Sequence, residues 1–308
     1  MKKFNIDFYK NKKIFFIISV ALLVVGLICN VVFGAKLDIQ FAGGALIKYS
    51  VDGEVDANEI DSLVEEATNR TVSVATNQTI GSDEHQVTVS FAGNTGVTLD
   101  EQQMIAEKLS AAYDDRTFGV IESSSVDPTM GTRFFQKCLV CLMITFVLLL
   151  GYIALRFRKI GGLSAGVTAI IALLHDVAIV YFAFVIFGFT INDIFIAVIL
   201  TILGYSLNDT IVIYDRIREN RKLAGTNDPA VLPEIVNKSL NQTMARSILT
   251  SVTTFLALLV VYIVAAVYGL TTVTTFALPM MVGVIAGCYS SLCIAAPLYT
   301  MWSVKRAK

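Results

Sequence analysis

Charge is scarce in this sequence. Only 16% of its 308 residues are Asp, Glu, Lys or Arg, while 55% are hydrophobic and the mean hydropathy is +0.67. A typical soluble domain is about one quarter charged, so a water-soluble globular chain is excluded. The polar, acidic stretch of residues 36–136 lacks cysteine. Cys29, Cys138, Cys141, Cys288 and Cys293 all fall in apolar runs, so there is no disulfide framework to infer. Cys138-Leu-Val-Cys141 has C-x-x-C spacing, but it lacks the strand–helix context and further ligands of redox and zinc sites. It reads as two small apolar residues. The chain also lacks His-Glu-x-x-His and Gly-x-Ser-x-Gly runs, and the polar segment holds no convergent His, Asp, Glu and Ser set, His85 standing alone in a turn. No enzyme activity, metal, cofactor or nucleic-acid ligand is expected.

What is present is a set of six long apolar runs, at about 14–34, 138–155, 163–187, 191–213, 248–268 and 273–299. Crossing about 30 Å of hydrocarbon takes roughly 20 residues of helix. The first run is too long for the core of a signal peptide and reads as a retained anchor. Loop charge orients the spans. Lys2, Lys3, Lys10, Lys12 and Lys13 precede the first. Arg156, Arg158 and Lys159 follow the second, Arg216, Arg218, Arg221, Lys222 and Lys238 lie between the fourth and fifth, and Lys305, Arg306 and Lys308 close the chain. Gly188-Phe189-Thr190 and Gly269-Leu270-Thr271 hold no Lys or Arg. The expected organisation is a cytoplasmic segment 1–13, an anchor 14–34, an external domain 36–136, a five-helix membrane domain 138–304 and a cytoplasmic tail 305–308.

The external segment has a β-α-β-β-α-β rhythm, the order of a ferredoxin-like fold. Strands are expected at Ala45–Val51, Thr71–Thr76, Gln86–Phe91 and Phe118–Ser124, with a turn at Gly81-Ser82-Asp83. Asp56-Ala-Asn-Glu59 and Thr98-Leu-Asp-Glu101 read as capping boxes for helices to about Asn69 and Tyr113. In the second helix Met104, Ile105, Leu109 and Ala112 would share one face.

Ionisable groups inside spans cost about 2.5–3.5 kcal/mol each on insertion scales, which makes them functional candidates. His175-Asp176 lies in span three. Asn192-Asp193 opens span four, with Asp193 expected as its N-terminal cap, and Asn208-Asp209 lies deeper in; Arg246 opens span five. Helical spacing puts Thr201, Tyr205, Asn208 and Asp209 on one stripe and Gln242, Arg246, Thr250 and Thr253 on another. If the stripes face each other, a small movement of one helix would load or release a proton at Asp209. A static buried ion pair is the alternative. For His175 and Asp176 an ordinary satisfied core pair is equally open. Gly283, Gly287 and Ser291 recur at four-residue spacing, the small-xxx-small pattern of a tight helix seam, and Pro279 and Pro297 would mark bends or ends of that span.

Gly204-Tyr-Ser-Leu-Asn-Asp-Thr-Ile-Val-Ile-Tyr-Asp-Arg-Ile-Arg-Glu-Asn220 resembles the fourth-helix motif of the SecF family. His175-Asp176, Ser239-Leu-Asn-Gln-Thr-Met-Ala-Arg-Ser-Ile-Leu-Thr-Ser251 and Gly287-Cys-Tyr-Ser-Ser-Leu-Cys-Ile-Ala-Ala-Pro297 resemble its third, fifth and sixth helices, so the likeness covers nearly the whole chain. Two positions depart from the family pattern: Gln40 replaces an aspartate in Asp38-Ile-Gln-Phe-Ala-Gly-Gly44, and Asp127-Pro128 stands for Gly-Pro. The resemblance implies a six-helix half of a resistance-nodulation-division-type unit that pairs with SecD. The pair would assist the SecYEG channel late in export of an unfolded preprotein, drawing on protons from outside. Asp209 would then be the proton-binding carboxylate, Arg246 its charge partner, and Asn208 and Thr250 members of the relay. A passive translocon scaffold, or half of a proton-coupled small-molecule exporter of the same superfamily, are the competing readings.

Overall fold

The computed structural model describes residues 6–38, 41, 43–53, 55–70, 72–78, 84–92, 96–113, 116–126, 128–225 and 228–306. Gln40, Asp127 and the turn expected at Gly81-Ser82-Asp83 lie outside the described residues. Helix α1 (Lys12–Phe33) leads into a small module of β1 (Gly44–Asp52), α2 (Ala57–Thr68), β2 (Val72–Gln78), β3 (Glu84–Ala92), α3 (Leu99–Ala112) and β4 (Gly119–Val126). Then follow α4 (Pro128–Arg156), a 3₁₀ turn (Arg158–Ile160), α5 (Gly162–Ile186), α6 (Asp193–Ala224) and α7 (Leu232–Val267). The last run is α8 (Thr271–Ser290), a π turn (Ser291–Ala295) and α9 (Ala296–Arg306). Among the described residues six helical runs are long and apolar enough to cross a membrane.

The module's strands form one antiparallel sheet in the order β2-β3-β1-β4. Strand alternation sends Ala45, Ile47, Tyr49 and Val51 of β1 to one face, where they pack with Val87, Val89 and Phe91 of β3 against Ile60 and Val64 of α2 and Ile105 and Leu109 of α3. Helix α3 starts on a capping box: Thr98 Oγ1 accepts from the Glu101 N–H (3.3 Å) while the Glu101 carboxylate accepts from the Thr98 N–H (2.9 Å). Its buried face is Gln102, Ile105 and Leu109; Met104 and Ala112, expected on that face, are exposed. Met104 sits about 100° round the helix from Ile105, and Ala112 is its last residue. Tyr113 donates to Glu59 Oε2 (2.7 Å), joining the end of α3 to α2; burial, and next that carboxylate, push its phenol up to about 12.

The membrane helices outrun their apolar stretches. Spans expected at 191–213 and 248–268 belong to α6 and α7, which extend to Ala224 and back to Leu232. Hydropathy marks only the part of a helix that meets hydrocarbon. Beyond it α6 stays amphipathic, burying Ile213, Tyr214, Ile217 and Asn220 on one side. Arg246 therefore lies well inside α7 instead of opening it. The N-cap of α6 is Asn192, whose Oδ1 accepts from the Ile194 and Phe195 N–H groups (3.1 and 3.3 Å). Asp193, expected as the cap, is the first helical residue, where its charge complements the helix dipole.

Long-range bonds sort the ends of the bundle. The Ile6 and Phe8 N–H groups donate to Asn241 and Asn237 Oδ1 (2.9 and 2.8 Å), and Tyr299 donates to the Ile160 carbonyl (2.6 Å). At the opposite end Leu37 bridges Ile191, joining the exit of α1 to the start of α6. The last run passes through Pro279, which lies inside α8, and Pro297, the second residue of α9. Proline 297 lacks an N–H and crowds the carbonyl four residues back. The π turn takes up that mismatch immediately before it.

Seam tightness is set by glycine. A Cβ on Gly283 would come within 2.5 Å of Ile202 Cδ1, and one on Gly287 within 2.9 Å of Ser206 Cβ, so α8 rests directly on α6. Gly283→Ala and Gly287→Ala should each lower stability by about 1–3 kcal/mol through overpacking. Gly204→Ala, on α6 with nothing within 4 Å of its Cβ, should be neutral or stabilise by up to about 1 kcal/mol. Thermal unfolding of the chain in detergent checks this; three equal effects would contradict the seam.

Candidate functional site

Helices α6 and α7 pack antiparallel, and side-chain bonds give their register. Tyr205 donates to Ser251 Oγ (3.2 Å), Arg216 Nε–H to Gln242 Oε1 (2.6 Å), and Asn220 Nδ2–H to Ser239 Oγ (2.8 Å) and Gln242 Oε1 (2.8 Å). Asp209 and Arg246 lie between the first two of these bonds. Asp209 is only 4% exposed, and its Oδ2 has no hydrogen-bond partner among the described residues. The Arg246 guanidinium acts on it electrostatically but does not close to an ion pair within 4.0 Å. Cys288 of α8 also feels the Asp209 charge. Ser247 Oγ is buried and unpartnered too, one turn beyond Ser251 as Asp209 is one turn beyond Tyr205.

The other stripe members do not join Asp209. Asn208 is exposed on this chain, as are Thr201 and Arg246. The Thr250 hydroxyl donates to the Arg246 carbonyl (2.8 Å), Thr253 to the Thr250 carbonyl (2.9 Å) and Thr201 to the Ala197 carbonyl (2.7 Å). These threonines are occupied by their own backbones.

A second carboxylate meets α6 at Ser206, three residues before Asp209 and so on a neighbouring part of the same face. Asp176 of α5 is 0% exposed; its Oδ2 accepts from Ser206 Oγ (2.6 Å) and Ser290 Oγ (2.8 Å), and its Oδ1 lies 3.2 Å from His175 Nδ1. Ser291 Oγ, first residue of the π turn, donates to the Ser206 carbonyl (3.2 Å) and lies 2.9 Å from Thr210 Oγ1. One knot thus ties α5, α6 and the π turn at a single level. Gly287 makes it reachable by letting α8 close on Ser206. No group of three or more His, Cys, Asp or Glu that could hold a metal occurs among the described residues.

Residues 105–305 match the family described as protein export membrane protein SecD/SecF, C-terminal. Over 99% of its length the chain is 34% identical to the protein translocase subunit SecF of Petrotoga mobilis, covering 98% of that protein. It belongs to the SecF family. It is also 33% identical to the protein translocase subunit SecDF of Bacillus subtilis, with 98% of this chain spanning 39% of that longer protein. The crystal structure of SecDF from Thermus thermophilus, described as a translocon-associated membrane protein, aligns with a TM-score of 0.78 at 27% identity, over 97% of this chain and 38% of that one. As a SecF-family member, this chain is a multi-pass membrane subunit with a role in protein translocation.

Sequence spacing brings attention to Asp209, Arg246, His175 and Asp176, but not to Ser206, Ser290 and Ser291, which hold Asp176. The one available signal is that Ser206 and Thr210 lie one turn apart on the face of α6 opposite its lipid-like residues, level with the paired Ser290-Ser291. Replacing Asp176 by Ala removes the acceptor for both Ser206 and Ser290 and should cost on the order of 1–3 kcal/mol, at about 0.6–1.7 per interhelical bond. Asp209→Asn should cost less than about 1 kcal/mol, since Oδ2 gives up no bond. Denaturation of the purified chain in detergent compares them; an Asp209→Asn loss equal to that of Asp176→Ala would refute the contrast.

Proposed function

We propose that this SecF-family chain pairs with SecD and uses the proton gradient to assist late steps of Sec-dependent export of an unfolded preprotein through SecYEG. Asp209 binds the proton and Arg246 is its charge partner. The observation that carries this reading is the buried Asp209 carboxylate with one oxygen unbonded and a guanidinium nearby but not locked to it. A static ion pair would close; this arrangement leaves room for a proton on Oδ2. The SecDF relatives, in which one chain carries both names and this chain spans only 39% of the length, support a SecD partner.

We read the sheet module, on its element order, as a ferredoxin-like domain on the external side. The basic ends of α4, α6 and α9 favour placing both termini in the cytoplasm. Moving one charge through 100 mV supplies about 2.3 kcal/mol. That is enough to shift a two-state equilibrium by some tens-fold, so a proton taken up at Asp209 can bias a movement of the external domains.

The test is Asp209→Asn in a chain that still assembles with its partner, with late-stage export measured with and without a proton gradient. Gradient stimulation should vanish. Arg246→Ala should reproduce the defect, and the double variant should be no worse than either single change. Undiminished gradient-dependent export in Asp209→Asn would instead favour a passive scaffold.

A further inference from the structure

At the end of the bundle that carries the basic residues, a cavity of about 640 Å³ opens between the 3₁₀ turn and the outer part of α6. Four of its lining side chains are cations, Lys159, Arg218, Arg221 and Lys222, against two carboxylates, Asp215 and Glu219. Both carboxylates are already engaged. Asp215 pairs with Arg218 (2.5 Å) and Arg156 (3.3 Å), and Glu219 with Arg216 (2.6 Å). Lys159 and Lys222 make no ion pair among the described residues. Arg221 lies close enough to the hydroxyl of Tyr299 to act on it electrostatically, and Tyr299 is 0% exposed and donates to the carbonyl of buried Ile160. The cavity therefore holds an excess of positive charge, with Ile160 as the apolar residue of its lining.

Its depth points to the ligand. The apolar part of α6 ends at Tyr214, and from Asp215 to Lys222 the helix climbs about 10 Å at 1.5 Å per residue. That range overlaps the polar layer, about 5–8 Å thick, on each side of the hydrocarbon core. We propose that this cavity binds the phosphate headgroup of an anionic membrane lipid, with Lys159, Arg221 and Lys222 as its cations. Basic pockets between membrane helices at this depth recognise such headgroups. The site would fasten the α4–α5 turn to the outer part of α6. It requires only that the helices span a membrane, and stands apart from the role of Asp209.

The delipidated full-length chain in detergent is titrated with phosphatidylglycerol, phosphatidylcholine or inorganic phosphate, and bound lipid is read by native mass spectrometry. Phosphatidylglycerol should be retained at least about tenfold more than phosphatidylcholine. Each cation near a membrane surface is worth roughly fivefold, so Lys159→Gln/Lys222→Gln should lower that retention by about tenfold or more. Both lysines are exposed, so unfolding should not confound the loss. Arg158→Gln/Lys238→Gln removes two basic residues that do not line the cavity and should leave retention unchanged. Equal retention of the two lipids, the same loss in both double variants, or full displacement of the lipid by millimolar inorganic phosphate would overturn the proposal.

Discussion

Hydrocarbon offers no water to a polar side chain, so every hydroxyl, amide and carboxylate in the bundle must find its partner within the protein. Most do so at once: the span threonines turn back to their own helices, and Asp176 collects Ser206, Ser290 and His175. Among the described residues, buried Asp209 leaves its Oδ2 without a hydrogen-bond partner. Two acids of the bundle, Asp176 on α5 and Asp209 on α6, thus have opposite characters, one saturated and one open. The saturated one holds α5, α6 and the end of α8 together, and so fixes the helix on which the open one stands.

The knot depends on backbone features that carry no charge. Gly283 and Gly287 bring α8 onto α6, and Ser290 and Ser291, about 100° apart as neighbours on one helical run, reach different partners. The hairpin of α6 and α7 is tied at Tyr205–Ser251 above Asp209 and at Arg216–Gln242 below it. Between those two ties Arg246 stands near Asp209 without locking to it. The arrangement suits a group that must exchange a proton, because the scaffold around it does not depend on its charge.

Much of this was legible in the residues. Hydropathy marked six spans because only membrane helices need runs of that length, and strand alternation placed the module's strands to within about two residues of their observed ends. Helix lengths were not legible, since amphipathic ends such as Ile213–Asn220 are invisible to hydropathy. Polar spacing marked Asp209, Arg246, Thr250 and Asn208 alike; it could not show that the Thr250 hydroxyl bonds its own helix while Asp209 Oδ2 has no partner among the described residues. Whether a hydroxyl faces a neighbour or its own carbonyl is settled by rotamer and packing, not by spacing. The serines around Asp176 were missed for a related reason: small hydroxyl residues are common at helix seams, and only the approach set by Gly287 turns these into ligands of a carboxylate.

The central claim is that Asp209, and not Asp176, is the carboxylate that takes up and gives back a proton. Infrared difference spectra of the chain reconstituted with its partner, recorded between acidic and alkaline pH, report this directly through the carbonyl band of a protonated carboxyl group. The account predicts a pH-dependent band that is lost in Asp209→Asn and retained in Asp176→Asn. A band that survives in Asp209→Asn, or that vanishes only in Asp176→Asn, would contradict it.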